Sequence, residues 1–409
     1  MKETWRWFGP QDPVSLDNAK QAGATGIVTA LHHLYRGEKW PAHEIEKRKA
    51  EIQAAGLVWS VVESIPIHES IKLGNGVQEK YIAAWKDSMV AVARAGVKII
   101  CYNFMPIVDW TRTDLKWPLP STGFALRFDA IDLAAYDLFL LRRKHAEDDY
   151  GPGIVADAQA RFEVMPEGLR TRLEQTIIGG LPASQETYDR EAFRRMLGEY
   201  EGVTPRDLRA NLIAFLREVV PVAQENGLCL AIHPDDPPRP LFGVPRVVST
   251  AEDARTILNG IDSVSNGLTF CTGSYGARAD NDLLAMVRDF APRIHFAHLR
   301  QVARELDGSF YEAEHLSNGS EMVAIVRELL LEEARRRRQI EEYHEIPMRP
   351  DHGHMLADDI NRKGNAGYSL IGRLKGLAEL RGVMRALEYS VPELQHGAAP
   401  SVAKEKDRV

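Results

Sequence analysis

The sequence predicts an eight-stranded α/β barrel of the TIM type. Short apolar runs rich in β-branched residues alternate with longer amphipathic segments, and each of these segments ends near a glycine. Eight strand–helix pairs can be counted along the chain, which is the number that a TIM barrel requires. A barrel with insertions reaches 409 residues as one domain.

The first four units follow one another closely. The strands are predicted in the aromatic run Trp5 to Phe8 and in the segments GIVTA, LVWSVVES and VKIICYNF. Ser15 is predicted to cap the first helix, and Gly23 to end it. HEIEKRKAEIQAAG and VQEKYIAAWKDSMVAVARAG are the next two helices. The alternation is therefore regular up to the fourth strand.

The alternation is interrupted from about Thr111 to Thr204, where the chain is polar and helical in pattern. We predict a mostly helical insertion there, after the fourth strand. The last four strands are predicted in LCLAIHP, GLTFC, RIHFAHLR and YHEIPMRPD, with helical segments between them. One catalytic barrel domain is then expected over 1–390, and a polar, loose tail over 391–409.

The composition is that of a soluble globular protein, with 44% hydrophobic and 27% charged residues. The net charge of −7 does not indicate binding to nucleic acid, which usually requires an excess of basic residues. The N-terminus lacks the apolar region of a signal peptide, and no run approaches ~20 apolar residues, so we expect a cytoplasmic protein without a membrane span. The run RRRR at 335–338 predicts a solvated helix face with local ion pairs.

The three cysteines are too few and too irregularly spaced for a disulfide framework. Cys101 and Cys229 lie in apolar runs and are predicted to be buried as small hydrophobic residues. Cys271 differs, because it ends a predicted barrel strand.

Four consecutive strands end in residues that can bind a metal: His233, Cys271, His298 and Asp351. The active site of a TIM barrel forms at the C-terminal ends of its strands, so these side chains are expected to converge. Imidazole, thiolate and carboxylate together suit a divalent ion such as Zn, Mn, Fe or Co. Strand seven also carries His295, but side chains alternate along a strand, and His298 is nearer the C-terminal end.

Other polar residues are predicted at the same end of the barrel. His352 and Tyr368 are of types that act as general acids or bases. Arg300 is a candidate clamp for a substrate carboxylate, since a guanidinium matches a carboxylate in a fork. The loops after strands two to four carry His32, His33, Glu63, Asn103 and Asp109. Of these, His33 and Asn103 are predicted to contact substrate.

The chain resembles the mannonate dehydratase family of the hexuronate pathway. The resemblance runs from the first strand to about Gly382 and is carried by TALHHL, CYNFMPIVDWTRTDL, FDAIDLAAYDLF, AIHPDDPP, TFCTGS, HFAHLR and RPDHGH. It implies a xylose-isomerase-like barrel with one divalent metal, Mn first and Fe, Co or Zn as alternatives. It also implies a homo-oligomer, either a dimer or a tetramer.

The resemblance places the family's functional residues on this chain. The metal ligands fall on His233, Cys271, His298 and Asp351. The catalytic histidine of the family directly follows the metal-binding aspartate and maps to His352, and a catalytic tyrosine in a GY pair maps to Tyr368. The stretch between the third and fourth ligands is lengthened here by the arginine-rich helix.

The implied reaction is dehydration of D-mannonate to 2-keto-3-deoxy-D-gluconate. One of His352 and Tyr368 removes the C2 proton and the other protonates the departing C3 hydroxyl, and the sequence leaves the assignment open. One alternative is a related sugar-acid dehydratase with a different substrate preference. Another is a sugar isomerase or epimerase on the same barrel, and the thiolate disfavours this second alternative. A DNA endonuclease would need a basic surface, and the sequence does not indicate one. A non-catalytic binding protein would not need the acid–base pair.

Overall fold

The computed structural model describes residues 1–179, 189–317, 319–339 and 345–395. Its strands are β1 (Lys2–Arg6), β2 (Gly26–Thr29), β3 (Val58–Glu63), β4 (Ile99–Tyr102), β5 (Asp114–Pro118), β6 (Phe124–Phe128), β7 (Cys229–Ile232), β8 (Asn266–Cys271), β9 (Ile294–His298), β10 (Gln301–Arg304), β11 (Phe310–Ala313) and β12 (Pro347–Arg349). Eight of them form a closed barrel in the order β1-β12-β9-β8-β7-β4-β3-β2, and every pair in it is parallel. The predicted TIM barrel is confirmed, and each barrel strand overlaps its predicted segment. Of the eighth predicted segment, residues 343 and 344 lie outside the described residues.

Helices connect the strands on the outside of the barrel. The α-helices are α1 (Leu16–Gln21), α2 (Ala42–Ala54), α3 (Glu69–Leu73), α4 (Glu79–Arg94), α5 (Ala130–Ala135), α6 (Pro152–Val164), α7 (Glu167–Ile178), α8 (Arg190–Glu199), α9 (Pro205–Glu225), α10 (Ala251–Gly260), α11 (Thr272–Gly276), α12 (Leu283–Phe290), α13 (Gly319–Arg338), α14 (Leu370–Ser390) and α15 (Pro392–Gln395). A π-helical turn follows α5 at Tyr136–Leu141.

Local sequence signals set the helix ends. Ser15 caps α1 through a capping box with Asn18, as predicted, and the chain leaves the helix through Gly23 at a φ of +87°. Thr204 caps α9 in the same way, so the end of the insertion coincides with the start of the next barrel helix. Because Ser and Thr oxygens satisfy backbone N–H groups that the first turn leaves free, these positions begin helices.

The segment between β4 and β7 is helical for much of its described length, in agreement with the predicted insertion. It also contains the hairpin β5–β6, which was not predicted. Strand β6 pairs with β11, which gives an antiparallel sheet of order β10-β11-β6-β5. The insertion and the connection after β9 are therefore joined at the C-terminal end of the barrel. Residues 180–188 of the insertion lie outside the described residues.

The barrel interior is packed rather than hollow. It holds a cluster of buried side chains: Val28, Val61, Ile99, Cys101, Cys229, Ala231 and Phe296. Burial of a Val, Ile or Phe side chain contributes roughly 1.5–3 kcal/mol, and a filled interior fixes the strand ends above it. The prediction that Cys101 and Cys229 are buried small residues is confirmed.

The arginine run at the end of α13 was predicted as a solvated face, and this is wrong for Arg336. Its side chain is buried and donates hydrogen bonds to Glu332 and to the carbonyls of Ala291 and Ile294. The reason is geometric, because Arg336 lies four residues after Glu332, on the face of α13 that packs on the barrel.

Two further sequence predictions concern the chain as a whole. None of the helices that the structure describes has the length and apolar character needed to cross a bilayer. Most of the predicted tail, residues 396–409, lies outside the described residues, and the division into one barrel domain and a tail stays a prediction.

Candidate active site

A cavity opens at the C-terminal ends of the barrel strands. Residues at or just after six strand ends line it: Arg6, His32, Glu63, Asn103, His233 and Arg349. Asp351, His352 and Tyr368 line the same cavity. Cys271 and His298 are not in its lining, and both are fully buried. The predicted strand-end residues are thus brought together around the floor of one cavity.

Three of the four predicted metal ligands form a compact donor cluster. The donor atoms of His233, Cys271 and His298 all lie within 4.8 Å of one another. Asp351 completes the set, because its Oδ2 lies 3.7 Å from Cys271 Sγ and its Oδ1 lies 3.9 Å from His298 Nδ1. Metal bonds of about 2.0–2.3 Å in a tetrahedron place ligand atoms roughly 3.3–3.8 Å apart. The donor set therefore fits a divalent metal in its chemistry, and the separations of 3.1 Å between His233 and His298, 3.7 Å and 3.9 Å lie close to the tetrahedral range.

The protonation of these ligands follows from their burial. Burial lowers the pKa of His233 and of His298, so each ring is neutral. Nδ1 of His233 lies 2.7 Å from the Pro234 carbonyl oxygen, which leaves Nε2 as its unprotonated nitrogen. In His298, Nε2 accepts a hydrogen bond from Arg349 Nε at 3.0 Å. Burial raises the pKa of the Cys271 thiol to about 11, although the backbone N–H and the hydroxyl of Ser274 both donate towards its sulfur. A metal ion bound at Cys271 would have to displace the thiol proton.

Asp351 is held in an uncommon backbone conformation. Its φ is +59°, in the left-handed region that Asp tolerates better than most residues. Arg300 Nε lies 2.5 Å from Oδ2 and Arg349 Nη1 lies 2.5 Å from Oδ1. Burial acts to raise the pKa of Asp351, but Arg349 and the other cations around it hold that pKa well below its usual range. The carboxylate is ionised and fixed in place.

The predicted acid–base pair lies next to this cluster. The ring of His352 contacts that of Tyr368 edge-on, with centroids 5.3 Å apart, and it also contacts Trp110. His352 Nδ1 lies 2.9 Å from Glu312 Oε1, a residue of β11 in the antiparallel sheet. Burial raises the pKa of Tyr368, so its phenol keeps its proton near neutral pH.

Arg300 was predicted to clamp a substrate carboxylate, but the structure places it outside the cavity lining. Its guanidinium contacts the carboxylates of Glu312, Asp236 and Asp351, and its side chain is buried. An arginine with three carboxylate partners has little capacity for a fourth. The geometry is therefore unfavourable for binding of a substrate carboxylate by Arg300. Arg300 instead holds the carboxylate of Asp351 in position.

The two other predicted substrate contacts differ in position. Asn103 lines the cavity, and its amide lies 3.4 Å from the Asp109 carboxylate, which also lines it. His33 is half-exposed, and its Nε2 lies 3.9 Å from Glu44 rather than at the cavity. Its neighbour His32 faces the cavity instead. His32 and His33 are the central residues of a turn that the Leu34 N–H closes on the Leu31 carbonyl, so their side chains point in different directions. The sequence alone did not distinguish between them.

Three cavity or support residues were absent from the sequence prediction. Arg349 precedes Asp351 by two positions at the end of β12, and the two-residue alternation of a strand was a signal for it. Arg6 ends β1, where the same strand-end reasoning applies. Glu312 had no comparable signal, because it reaches His352 only through the pairing of β11 with β6.

Comparisons with known proteins agree with this geometry. The family model described as D-mannonate dehydratase (UxuA) matches residues 1–392. The chain is 54% identical over 388 residues to mannonate dehydratase 2 of Agrobacterium fabrum, covering 95% of this chain and 98% of the relative. It is 52% identical over 397 residues to mannonate dehydratase of Saccharophagus degradans, covering 97% of this chain and all of the relative. The crystal structure of mannonate dehydratase from Streptococcus suis superposes with a TM-score of 0.74 at 32% identity, covering 100% of this chain and 98% of that one.

Proposed function

Because the chain belongs to the D-mannonate dehydratase family, we propose that it removes water from D-mannonate and yields 2-keto-3-deoxy-D-gluconate. One observation of the site carries the proposal. His233, Asp351 and the His352–Tyr368 pair line a single cavity, and the buried Cys271 and His298 lie directly beside Asp351 and His233. Loss of water next to a carboxylate needs a proton acceptor and a proton donor, and a Lewis acid stabilises the charge that develops on the substrate.

We propose that His233, Cys271, His298 and Asp351 hold one divalent metal, and that Mn is the native ion. When bound, the metal would supply Lewis acidity for oxygens of the sugar acid and favour loss of the C2 proton. The neutral imidazoles and the ionised Asp351 are in the protonation states that a metal needs. Fe, Co and Zn suit the same donor set, so reloading metal-free protein with each ion and comparing turnover tests the choice of Mn.

The contacts of the acid–base pair support one assignment of roles. Glu312 is ionised and accepts the hydrogen on Nδ1 of His352, so Nε2 is the ring nitrogen that can take up a proton from substrate. We assign His352 as the base that takes the C2 proton. Tyr368 keeps its proton through burial and is assigned as the acid that protonates the C3 hydroxyl.

The proposed steps balance. The C2–H bond breaks as the proton moves to His352, and its electron pair forms the C2–C3 double bond. The C3–O bond breaks as Tyr368 protonates the hydroxyl, which leaves as water. The enol then takes up a proton at C3 while its C2 hydroxyl loses one, which gives the 2-keto acid, and proton exchange with solvent restores both side chains.

A turnover assay tests the proposed function. Protein stripped with a chelator and reloaded with Mn is given D-mannonate and, separately, its C2 and C3 epimers. We expect the 2-keto-3-deoxy product from D-mannonate only, and only after reloading. A protein that retains metal but forms no product from any of these acids would contradict the substrate assignment. Product from an epimer at an equal rate would favour a related sugar-acid dehydratase.

We also propose that the chain forms a homo-oligomer and acts in the cytoplasm within hexuronate degradation. The proposal rests on the family to which the chain belongs. Sedimentation equilibrium of the metal-loaded protein distinguishes monomer, dimer and tetramer, and a monomer at micromolar concentration would contradict the first part.

A further inference from the structure

We propose that Arg6 binds the carboxylate of the sugar-acid substrate and thereby selects acids over neutral sugars. The inference rests on the proposed function, because it assigns one end of that substrate to one side of the cavity. Arg6 takes the role that the sequence analysis predicted for Arg300. Arg300 is paired with three carboxylates, whereas Arg6 is paired with one.

Eight buried or nearly buried residues form one connected chain of ion pairs under and beside the cavity. Arginines and carboxylates alternate along it. In order of contact, its members are Arg6, Glu63, Arg349, Asp351 and Arg300, then Asp236 and Glu312, which both contact Arg300 and also both contact Arg112. Arg300 contacts three carboxylates of the chain, and Arg112 and Arg349 contact two each. Arg6 contacts one, Glu63, which it shares with Arg349. Arg6 is therefore the arginine with the fewest anionic partners in the network.

The donors of Arg6 are incompletely used. Its side chain is 10% exposed, and Nη1 lies 3.1 Å from Glu63 Oε2. Among the described residues, neither Nε nor Nη1 of Arg6 has an acceptor in hydrogen-bonding geometry. Nη2 lies 3.4 Å from His32 Nε2. Buried donors without acceptors are costly, and a carboxylate offers two acceptor oxygens in the geometry of a guanidinium.

The position of Arg6 is fixed by its surroundings. It ends β1, and Arg373 donates to its backbone carbonyl at 2.8 Å. Its guanidinium lies 5.1 Å from the ring centroid of Phe8, a cation–π distance. His32 beside it is neutral, because burial lowers the pKa of the imidazole, so Arg6 supplies the positive charge at this side of the cavity. A fixed cation on a strand end is a suitable anchor for a small anion.

The charges of the ion-pair chain favour an anionic ligand beside it, whereas Glu69, Lys72 and Asp109 form a separate group of ion pairs in the cavity lining. The ion-pair chain contains four arginines and four carboxylates, so its formal charges cancel. A divalent ion held with the Cys271 thiolate would add one net positive charge. A ligand with one carboxylate balances that charge, whereas a neutral sugar leaves it unpaired in a buried site.

Binding of two ligands that cannot react tests the proposal. The 3-deoxy analogue of D-mannonate lacks the leaving hydroxyl, and its primary amide is a matched neutral ligand. Calorimetric titration of each into the Mn-loaded protein gives the preference for acid over amide. We expect about a 10- to 100-fold preference in the wild type. In Arg6→Gln we expect that preference to fall at least about tenfold, with the amide affinity nearly unchanged.

Arg381→Gln is the matched control. Arg381 pairs with Glu3 on the same strand β1, but at the end away from the cavity, so its loss should leave the preference intact. Equal weakening of acid and amide binding in Arg6→Gln would overturn the proposal and leave Arg6 a structural role. If Arg6→Gln does not fold, Arg6→Met decides, because it keeps an unbranched side chain but loses both the charge and the fork. A reduced preference in that variant supports the proposal, and an unchanged one overturns it.

The two proposals fail in different ways. Absence of product from D-mannonate with the wild-type protein would contradict the proposed function. An acid-over-amide preference that does not depend on Arg6, in a protein that turns over D-mannonate, would contradict only the inference about Arg6. Metal content and thermal unfolding of every variant show that the site and the fold are intact.

Discussion

His352 has contacts that separate its chemistry from metal binding. It follows Asp351 in sequence, yet its ring points to Glu312 and Tyr368. We expect His352→Asn to retain the metal while turnover falls about 10²–10⁴-fold, the usual contribution of a general acid or base. Metal analysis and the product assay on the same sample check both parts. Tyr368→Phe, which keeps the aromatic contact, should behave similarly, and loss of metal from His352→Asn would instead make His352 a structural residue.

His295 predicts a dependence of stability on pH. It is buried, and its Nε2 lies 2.7 Å from the carbonyl oxygen of Val264. Burial, together with nearby Arg336, lowers the pKa of His295 to about 3, whereas an unfolded chain has a histidine pKa of about 6.5. Between about pH 6.5 and pH 3, the histidine binds a proton in the unfolded state but stays neutral in the folded state. The contribution of His295 to the free energy of unfolding is therefore fully present above about pH 6.5. It is lost as the pH falls towards 3, by up to about 1.4 kcal/mol per pH unit.

The variant His295→Gln tests this, because its amide can still donate to Val264 and does not titrate. The free energy of unfolding in urea, measured for both proteins at pH 7, 5.5 and 4.5, should fall more steeply for the wild type. Parallel pH dependences would contradict the assignment to His295. Other buried histidines titrate equally in both proteins and do not affect the comparison.

Residue-level reasoning predicted much of the site but not its supports. The rule that barrel strands end at the active site was sufficient to bring His233, Cys271 and His298 together, and His295 was correctly separated from His298. The same rule could not reveal which arginine has free donors. Arg300 and Arg6 both carry guanidinium groups near strand ends, and only their carboxylate partners distinguish them.

At the scale of elements, the N-terminal turn of α14 holds the loop that carries the acid–base pair. Gly353 and Tyr368 form a β-bridge, and Gly372 packs against the backbone of His354. A Cβ at Gly372 would collide with both the nitrogen and the carbonyl oxygen of His354. The absence of a side chain at Gly372 therefore sets the distance between the helix and the loop.

Two substitutions in this one helix should have opposite effects. Gly372→Ala should destabilise the fold by about 1–3 kcal/mol, the usual cost of overpacking, and should reduce turnover by displacing the loop. Gly382→Ala, on the exposed side of α14 with no atom within 4 Å of the new Cβ, should stabilise it by about 0.5–1 kcal/mol. Denaturant unfolding of both variants checks the signs. Equal effects would mean that Gly372 is not constrained by His354.

The strand and helix boundaries of the barrel were largely predictable, whereas the antiparallel sheet was not. Helix α1 begins after its predicted cap Ser15, and each barrel strand overlaps its predicted segment, because capping residues and apolar periodicity act locally. The pairing of β6 with β11 joins segments that are far apart in sequence, as in Phe128 and Phe310. No local pattern encodes such a contact, and Glu312 was missed for this reason.

The molecule as a whole should be stabilised by its metal. An ion that binds only the folded state, at a free concentration about 100 times its dissociation constant, adds about 2.7 kcal/mol to the free energy of unfolding. We expect removal of the metal with a chelator to lower the midpoint of thermal unfolding by a few degrees, and reloading to restore it. Cys271→Ser should shrink this difference, because the variant loses a thiolate ligand.

Cys101→Ala is the matched control for Cys271→Ser. Cys101 is buried in the barrel interior, so its substitution should lower the unfolding midpoint of both the metal-free and the metal-loaded protein by the same amount. A metal-induced shift of normal size in Cys271→Ser would show that the thiolate contributes little to metal binding.

The closure of the barrel by β1 and β12 has a consequence for synthesis in the cell. Lys2–Arg6 leaves the ribosome long before one of its two neighbours in the barrel, Pro347–Arg349, is translated. At roughly 5–20 residues per second, the first strand waits on the order of 20 to 70 s for that neighbour. Its exposed edge must be shielded from other nascent chains meanwhile, and because Tyr368 is added later still, an incomplete translation product should be inert.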